Sequence, residues 1–134
     1  MAGLISEVLA QVYTAVSEGS QAFDWSFNDT QVEGRNDDIF YILSCEEIEM
    51  SDEVYHSAST RRRFGTIKIK CNIFANPDIN PSTLGDSFQS QICDKLFESS
   101  LEIAKVSCTN SSFNKDYDRL EMCAYISARF LYIY

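Results

Sequence analysis

Apolar residues recur along this chain with two periods, and each period predicts one type of element. In residues 4–18 they stand at helical spacing with polar positions between them, which predicts an amphipathic helix. A second helix is predicted from Pro81, because Asn80 is a favourable N-cap and proline suits the first helical position. The apolar face of this second helix consists of Leu84, Phe88, Ile92, Leu96 and Phe97. Each helix therefore has one face to bury.

Other segments follow the two-residue period of strands. Phe23, Trp25 and Phe27 alternate with polar residues and predict a short strand. Residues 39–50 begin as a continuous apolar run and then become acidic, which predicts a strand buried on both faces at first and solvated later. The remaining predicted strands are 61–75, 101–108 and 119–134, with polar loops over 28–38, 51–60 and 109–118.

The element order αβββαββ predicts an α+β fold in a single domain of residues 1–134, with a mainly antiparallel sheet and both helices packed on one face. Strands 39–50 and 61–75 are expected to form an antiparallel hairpin. With its midpoint near Tyr55 and His56, the acids at 46–49 come opposite or diagonal to Arg61, Arg62 and Arg63. A two-residue slip preserves every face, so the alternation leaves the register open.

Charge narrows the function classes. The 134 residues include 20 acidic and 11 basic side chains, a net charge of −9, which argues against a protein that neutralises nucleic-acid phosphates. The first basic residue is Arg35, which argues against a signal or transit peptide because both need early positive charge. No apolar run approaches the length of a membrane span. We therefore expect a soluble intracellular protein, with no membrane partner and no sequence-specific nucleic-acid partner.

Candidate chemistry is sparse. Asp52, His56 and Ser57 contain the residue types of a hydrolytic triad, but a nucleophile beside its own base in a polar loop seldom has oxyanion donors. The five cysteines form no CxxC pair, each stands among apolar neighbours, and they are expected to be free thiols in a reducing compartment. We expect no enzyme activity, no catalytic residue, no metal site and no cofactor.

Charge separation along the predicted hairpin is the most distinctive feature. An acidic stretch could in principle hold a hard cation and a basic cluster a phosphate, but opposite charges close together favour a contact between subunits. The residues predicted to form this contact between subunits are Glu46, Glu47, Glu49, Asp52, Glu53, Arg61, Arg62, Arg63, Lys68 and Lys70. The chain also has nine phenylalanines and seven tyrosines, which either extend to an interface or simply cover the sheet.

The order of elements resembles the tail-terminator, or tail-completion, proteins of tailed bacteriophages and phage-tail-like particles. The resemblance lies in an apolar strand (Phe40 to Leu43), a charged hairpin, an arginine-bearing strand (Arg61 to Ile69), a proline-started helix and two closing strands. It implies a virion or tail-particle protein, assembled in the bacterial host cytoplasm as a ring, commonly a hexamer. Such a ring caps the head-proximal end of the tail tube, stops its growth and provides a docking surface for the neck or head.

The same resemblance implies the partners: further copies of the chain, the tail tube protein, and sheath and neck proteins as further candidates. Two alternatives stay open. Another neck or head-completion connector would bind the portal rather than the tube, and a monomeric adaptor domain would bind a peptide by strand addition.

Overall fold

A mixed β-sheet with two helices on one face organises the chain. The structure is a computed structural model that describes residues 4–17, 23–25, 32, 37–56 and 61–133, with the backbone alone for 4, 25, 51–56, 61–63 and 132–133. Its elements are α1 (Leu4–Ser17), β1 (Phe23–Trp25), β2 (Ile39–His56), β3 (Arg61–Ala75), α2 (Pro81–Ser87), a π-helical segment (Phe88–Cys93), α3 (Asp94–Glu98), β4 (Glu102–Cys108), β5 (Ser112–Asn114) and β6 (Arg119–Ile133). Among these elements, no helix has the length and apolarity to cross a membrane.

The strand order is β1-β2-β3-β6-β4, and β5 also pairs with β6. The sheet is mixed, so the prediction of a mainly antiparallel sheet was wrong: β1 pairs in parallel with β2, placing Phe23 beside Tyr41, while the other pairs are antiparallel. The stretch from residue 26 to residue 38 gives the chain enough length for this parallel connection.

The predicted order αβββαββ was also wrong, because β5 adds a strand inside the polar segment 109–118. The amide side chain of Asn114 closes the turn that follows, its Oδ1 accepting from the backbone N–H of Asp116 at 3.0 Å. Asp118 completes the turn with a φ of 53°, which short polar side chains tolerate. Turn chemistry therefore converts part of a polar segment into a hairpin.

The main core lies between the helices and one face of the sheet. Predicted helical residues Val8, Val12 and Val16 are buried there, together with Leu84, Ile92 and Leu96 of the second helix. Sheet residues of the same core are Tyr41, Leu43, Ile67, Ile69, Cys71, Ile73, Ala75, Met122, Ala124, Ile126, Ala128 and Phe130. Both helices pack on this face, as the alternation predicts, and burial of these side chains supplies the main favourable term in folding.

The second predicted helix consists of α2, the π-helical segment and α3, which follow one another without a break. It begins where its sequence indicates, because Oδ1 of Asn80 accepts from the backbone N–H of Ser82 at 3.0 Å. Its middle is π-helical, and within it Gln91 donates through Nε2 to the carbonyl of Val16 at 2.8 Å. This bond satisfies a carbonyl in the last turn of α1 and ties the two helices together. Phe97 is 63% exposed, so its predicted place on the buried face was wrong.

A smaller core covers the opposite face at the start of β2. Phe40, Ile42 and Phe74 are fully buried there with Val32, and the rings of Phe40 and Phe74 stack with centroids 5.2 Å apart. The guanidinium of Arg119 lies over the Phe40 ring at 5.0 Å. The first part of β2 is therefore buried on both faces, as its continuous apolar run predicts.

Candidate functional site: a protein-contact surface

Every residue predicted for the interface lies on one pair of strands. We define the β-arm as residues 44–56 of β2 with residues 61–70 of β3. β1 covers the outer edge of β2 only as far as the pair of Trp25 with Leu43. β2 continues to His56, so the loop predicted over residues 51–60 was wrong in its first part. The arm therefore extends the sheet beyond the residues of β2 that pair with β1 on one edge and β3 on the other.

A β-bulge determines which side chains of the arm face which way. Cys45 pairs with Ile69 and Glu47 with Lys68, which leaves Glu46 as the extra residue. One inserted residue exchanges the two faces, so Ile48 and Met50 lie on the helix side of the sheet, opposite Ile67 and Gly65. Ile67 is fully buried, whereas Ile48 is 47% and Met50 39% exposed. The arm thus presents two apolar side chains beyond the main core.

The acids of the arm stand opposite lysine and threonine rather than the arginines. Glu47 forms an ion pair with Lys68, with Oε2 and Nζ 3.3 Å apart, and Glu49 pairs across the strands with Thr66. Both charged side chains are about half exposed, 54% for Glu47 and 46% for Lys68, so the pair contributes only about 0.2–1 kcal/mol. Charge pairing across the predicted hairpin therefore exists, but with other partners.

The arginines stand farther along the arm than predicted. Arg61, Arg62 and Arg63 pair through their backbones with residues 56, 55 and 54. Asp52 and Glu53 fall in an irregular stretch between the pairs of Met50 with Gly65 and Val54 with Arg63. The predicted pairing of acids 46–49 with these arginines was wrong, because β2 continues through the predicted loop and the strands turn later. The side chains of these five charged residues lie outside the described ones.

Lys70 stands beside Ser44 and faces the side of the sheet opposite the helices. Near it, Asn72 donates through Nδ2 to the sulfur of Cys123, at 3.7 Å. Burial and the Glu121 carboxylate raise the pKa of the Cys123 thiol, while Lys70 lowers it. The thiol therefore stays protonated near neutral pH and serves as a weak hydrogen-bonding partner.

The opposite edge of the sheet has the complementary charge at its centre. Lys105 of β4 is exposed and pairs with Ser127, while Val106 beside it pairs with Ile126 on the helix side. At the start of β4, Glu102 binds Arg129 with Oε1 and Nη1 3.3 Å apart. Sequence reasoning missed this edge and the exposed Ile48 and Met50. The signal for the latter was present: the apolar positions shift from odd to even numbers between Cys45 and Ile48.

The cysteines differ more than their similar sequence neighbourhoods predict. Cys71 is buried, and burial raises the pKa of its thiol well above the ordinary value of 9.0. Cys45 and Cys108 are exposed, which corrects the prediction that each cysteine packs as a small hydrophobe. Cys45 lies on β2 just beyond its last pair with β1, and Cys108 lies on β4, the last strand of the path.

The remaining chemical candidates are not brought together. Of the three candidate triad residues, His56 pairs with Arg61 through the backbone. Ser57 lies outside the described residues, and the side chains of Asp52 and His56 lie outside the described side chains. Within the part of the chain that the structure describes, no three histidine, cysteine or acidic side chains group as metal ligands do. A groove of about 420 Å³ along α1 is lined mainly by apolar atoms, and its Tyr13 hydroxyl donates to the Phe23 carbonyl at 2.9 Å.

No protein-family model and no curated protein matches this chain. Among solved structures it is similar to the sheath/tube terminator of an extracellular contractile injection system, PVC, determined by cryo-EM in the extended state. The two are 12% identical with a TM-score of 0.38, and the match covers 98% of this chain and 57% of the terminator. This chain therefore spans little more than half the length of that protein.

Proposed function

We propose that the chain is a structural subunit of a tail-like particle, a terminator that forms a ring, hexameric by the resemblance given above, at the head-proximal end of the tail tube. In this role it stops tube growth and offers a docking surface for the neck or head. Its partners are further copies of itself, the tube protein, and sheath and neck proteins. Its function is assembly, with no catalytic step and no cofactor.

One observation carries the protein-contact part of the proposal: the β-arm presents Ile48 and Met50 to solvent on an outer strand of the sheet. The helices bury Tyr41 and Leu43 on the same sheet face, nearer the start of β2. Apolar side chains exposed beside one another on an edge strand are a liability for an isolated protein unless a partner covers them. A surface of this kind supports a role in assembly.

The terminator part of the proposal is supported by the resemblance of particular sequence segments to tail-terminator proteins. The apolar strand, the charged hairpin and the proline-started helix now have defined bounds, in β2, β3 and α2. The net charge of −9 agrees with this role, because a ring of acidic subunits repels the phosphates of DNA passing through its lumen.

The decisive experiment removes the gene from the bacterium that produces the particle and measures tail lengths by electron microscopy. Tails of uncontrolled length are expected, because tube polymerisation then lacks its stop. Tails of normal length that fail to join heads would instead assign the chain to the neck connectors. Normal, fully joined particles would contradict both roles.

A second experiment connects this phenotype to the β-arm. The double variant Ile48→Asp, Met50→Asp is expected to remain folded, because both side chains are exposed, but to fail to restore tail length in the deletion strain. The double variant Phe97→Asp, Phe113→Asp is the matched control, since it places the same two charges at exposed apolar side chains outside the arm, on α3 and β5. Equal rescue by the double variant and the control would separate the arm from the function. Solution mass adds a further check: a protein that stays monomeric and binds a peptide would support the adaptor alternative.

A further inference from the structure

Two strand edges, one on β2 beyond its pairs with β1 and one on β4 at the end of the path, have no pairing strand among the described residues. On β2 this edge begins at Ser44, directly after the last pair with β1. On β4 it runs the whole strand, seven residues from Glu102 to Cys108. The edge of β2 continues to His56, so it is longer than β4 and offers room for β4 to pair along part of it.

The two edges are also complementary in side chains. On the face away from the helices, segment 44–50 carries Glu47 and Glu49, while β4 carries Lys105 at its centre and, at its start, Glu102, whose charge is paired with Arg129 of the same subunit. On the helix face, segment 44–50 carries Ile48 and Met50, while β4 carries Ile103 and Val106. An acidic, apolar edge therefore corresponds to a centrally basic, apolar edge on the opposite side of the same subunit.

We infer that residues 104–108 of β4 in one copy pair antiparallel with residues 46–50 of β2 in the next copy, joining the sheets of neighbouring subunits edge to edge. The inference rests on the proposed function, since it names the contact that repeats around the ring. The antiparallel direction follows from the fold: β2, β3, β6 and β4 alternate in direction, so a neighbour in the same orientation presents β2 antiparallel to β4.

One register satisfies both faces together. With Ile48 opposite Val106, Glu49 falls opposite Lys105 and Glu47 diagonal to it. Cross-strand pairs of opposite charge and of apolar side chains both stabilise antiparallel pairing. In this register Cys108 lies opposite Glu46, one residue from Cys45. A disulfide joins Cα atoms about 4.4–6.8 Å apart, so the two exposed thiols become reporters of the contact.

Charge also disfavours the symmetric alternatives. Pairing β2 with β2 of a second copy would bring Glu47 and Glu49 against the same acids, and pairing β4 with β4 would bring the two Lys105 side chains together. Like charges across strands are destabilising. A contact between two different edges is heterologous and repeats from copy to copy, forming a ring when the rotation between copies closes, whereas a symmetric contact stops at a dimer.

The test oxidises the native cysteines of the full chain with copper phenanthroline at a pH of about 8.5, because the thiolate is the reacting form of cysteine. The experiment uses a Cys93→Ser background, because Cys93 lies close enough to Cys108 for the two thiols to interact electrostatically and could compete as its partner. We expect a bond between Cys45 and Cys108 of different copies, identified by peptide mass spectrometry, and a ladder of covalent multimers. Adding Cys45→Ser or Cys108→Ser removes the ladder, while Cys123→Ser leaves it unchanged. A Cys45 to Cys45 bond that stops at dimers would overturn the inference.

A charge exchange tests the register without oxidation. Glu49→Lys is expected to weaken association about tenfold, and Lys105→Glu in the same chain to restore it, because the attraction is then reversed in sign. Glu98→Lys and Lys115→Glu are matched controls at exposed positions outside both edges. A protein that forms rings with no response to either single change would refute the edge contact while leaving the terminator role intact. Absence of rings together with normal tail lengths in the deletion strain would remove the proposed function itself.

Discussion

The two halves of the β2–β3 ladder differ although they form one continuous pair of strands. In the first half, Tyr41 and Leu43 face the helices while Phe40 and Ile42 face the smaller core, so both sides are buried. In the second half, Glu47 is exposed on one side and Ile48 on the other. Both halves are paired along their backbones, although the second half contains the bulge at Glu46 and an irregular stretch after Met50, so packing against the two cores is what distinguishes the buried half from the exposed one.

The sharpest way to break this comparison uses two isoleucines that stand opposite each other. Ile67→Ala is expected to lower the free energy of unfolding by about 2–5 kcal/mol, because Ile67 is fully buried. Ile48→Ala removes the same atoms from the paired, half-exposed position and should cost less than about 1 kcal/mol in the isolated subunit. Urea unfolding measures both values. Similar losses for the two variants would mean that the arm is packed as tightly as the core.

Two glycines, one on the arm and one in α2, differ in whether another side chain covers them. A Cβ built at Gly65 would overlap the ring of Phe130, which covers it from the adjacent strand, so Gly65→Ala should cost about 1–3 kcal/mol. At Gly85 in α2 a Cβ would meet no described atom within 4 Å, so Gly85→Ala should stabilise the protein by about 0.5–1 kcal/mol. Thermal and urea unfolding of both variants provide the measurement. A harmless Gly65→Ala would show that the Phe130 contact yields readily.

Alkaline pH should destabilise the fold through a buried thiol of the packed half. Burial raises the pKa of the Cys71 thiol above its ordinary value of 9.0, so the folded protein holds this proton longer than the unfolded chain. Stability is therefore intact below pH 9.0 and falls as pH rises above it, by up to about 1.4 kcal/mol per pH unit. Urea unfolding between neutral pH and pH 10 gives the slope, which Cys71→Ala should make shallower. Burial also raises the pKa of the Tyr41 hydroxyl, so its contribution to the fall in stability begins only above its ordinary value of 10.0. An unchanged slope in Cys71→Ala would assign the alkaline loss to other groups.

The smallest effect is expected from the ion pair on the arm. Lys68→Met, which keeps much of the aliphatic stem, should change the free energy of unfolding by less than about 1 kcal/mol, because both charges are half exposed. Added salt should reduce even this difference. A double-mutant cycle with Glu47→Gln isolates the pair. A coupling several times larger would show that the arm contributes to stability after all.

Much of the secondary structure could be predicted because its signals are local. The first helix, the Asn80 cap and the inward face of β6 all follow from periodicity and capping, which depend on near neighbours. The sequence pattern also marked the β-arm as the charged region. It did not reveal that β2 continues to His56, because the polar composition of residues 51–56 resembles a loop and only pairing with β3 makes it a strand. The short β5 escaped for the same reason.

The sequence by itself determined two amphipathic helices, the buried start of β2, the acidic balance and the opposite charges of the arm, since each depends on residue type and short-range spacing. Only the tertiary structure decided the parallel pairing of β1, the register that places Glu47 beside Lys68, and the bulge that exposes Ile48 and Met50. These features depend on partners distant in the chain. Alternation with a period of two is satisfied by every slip of two residues, so packing against the helices and β6 had to select one.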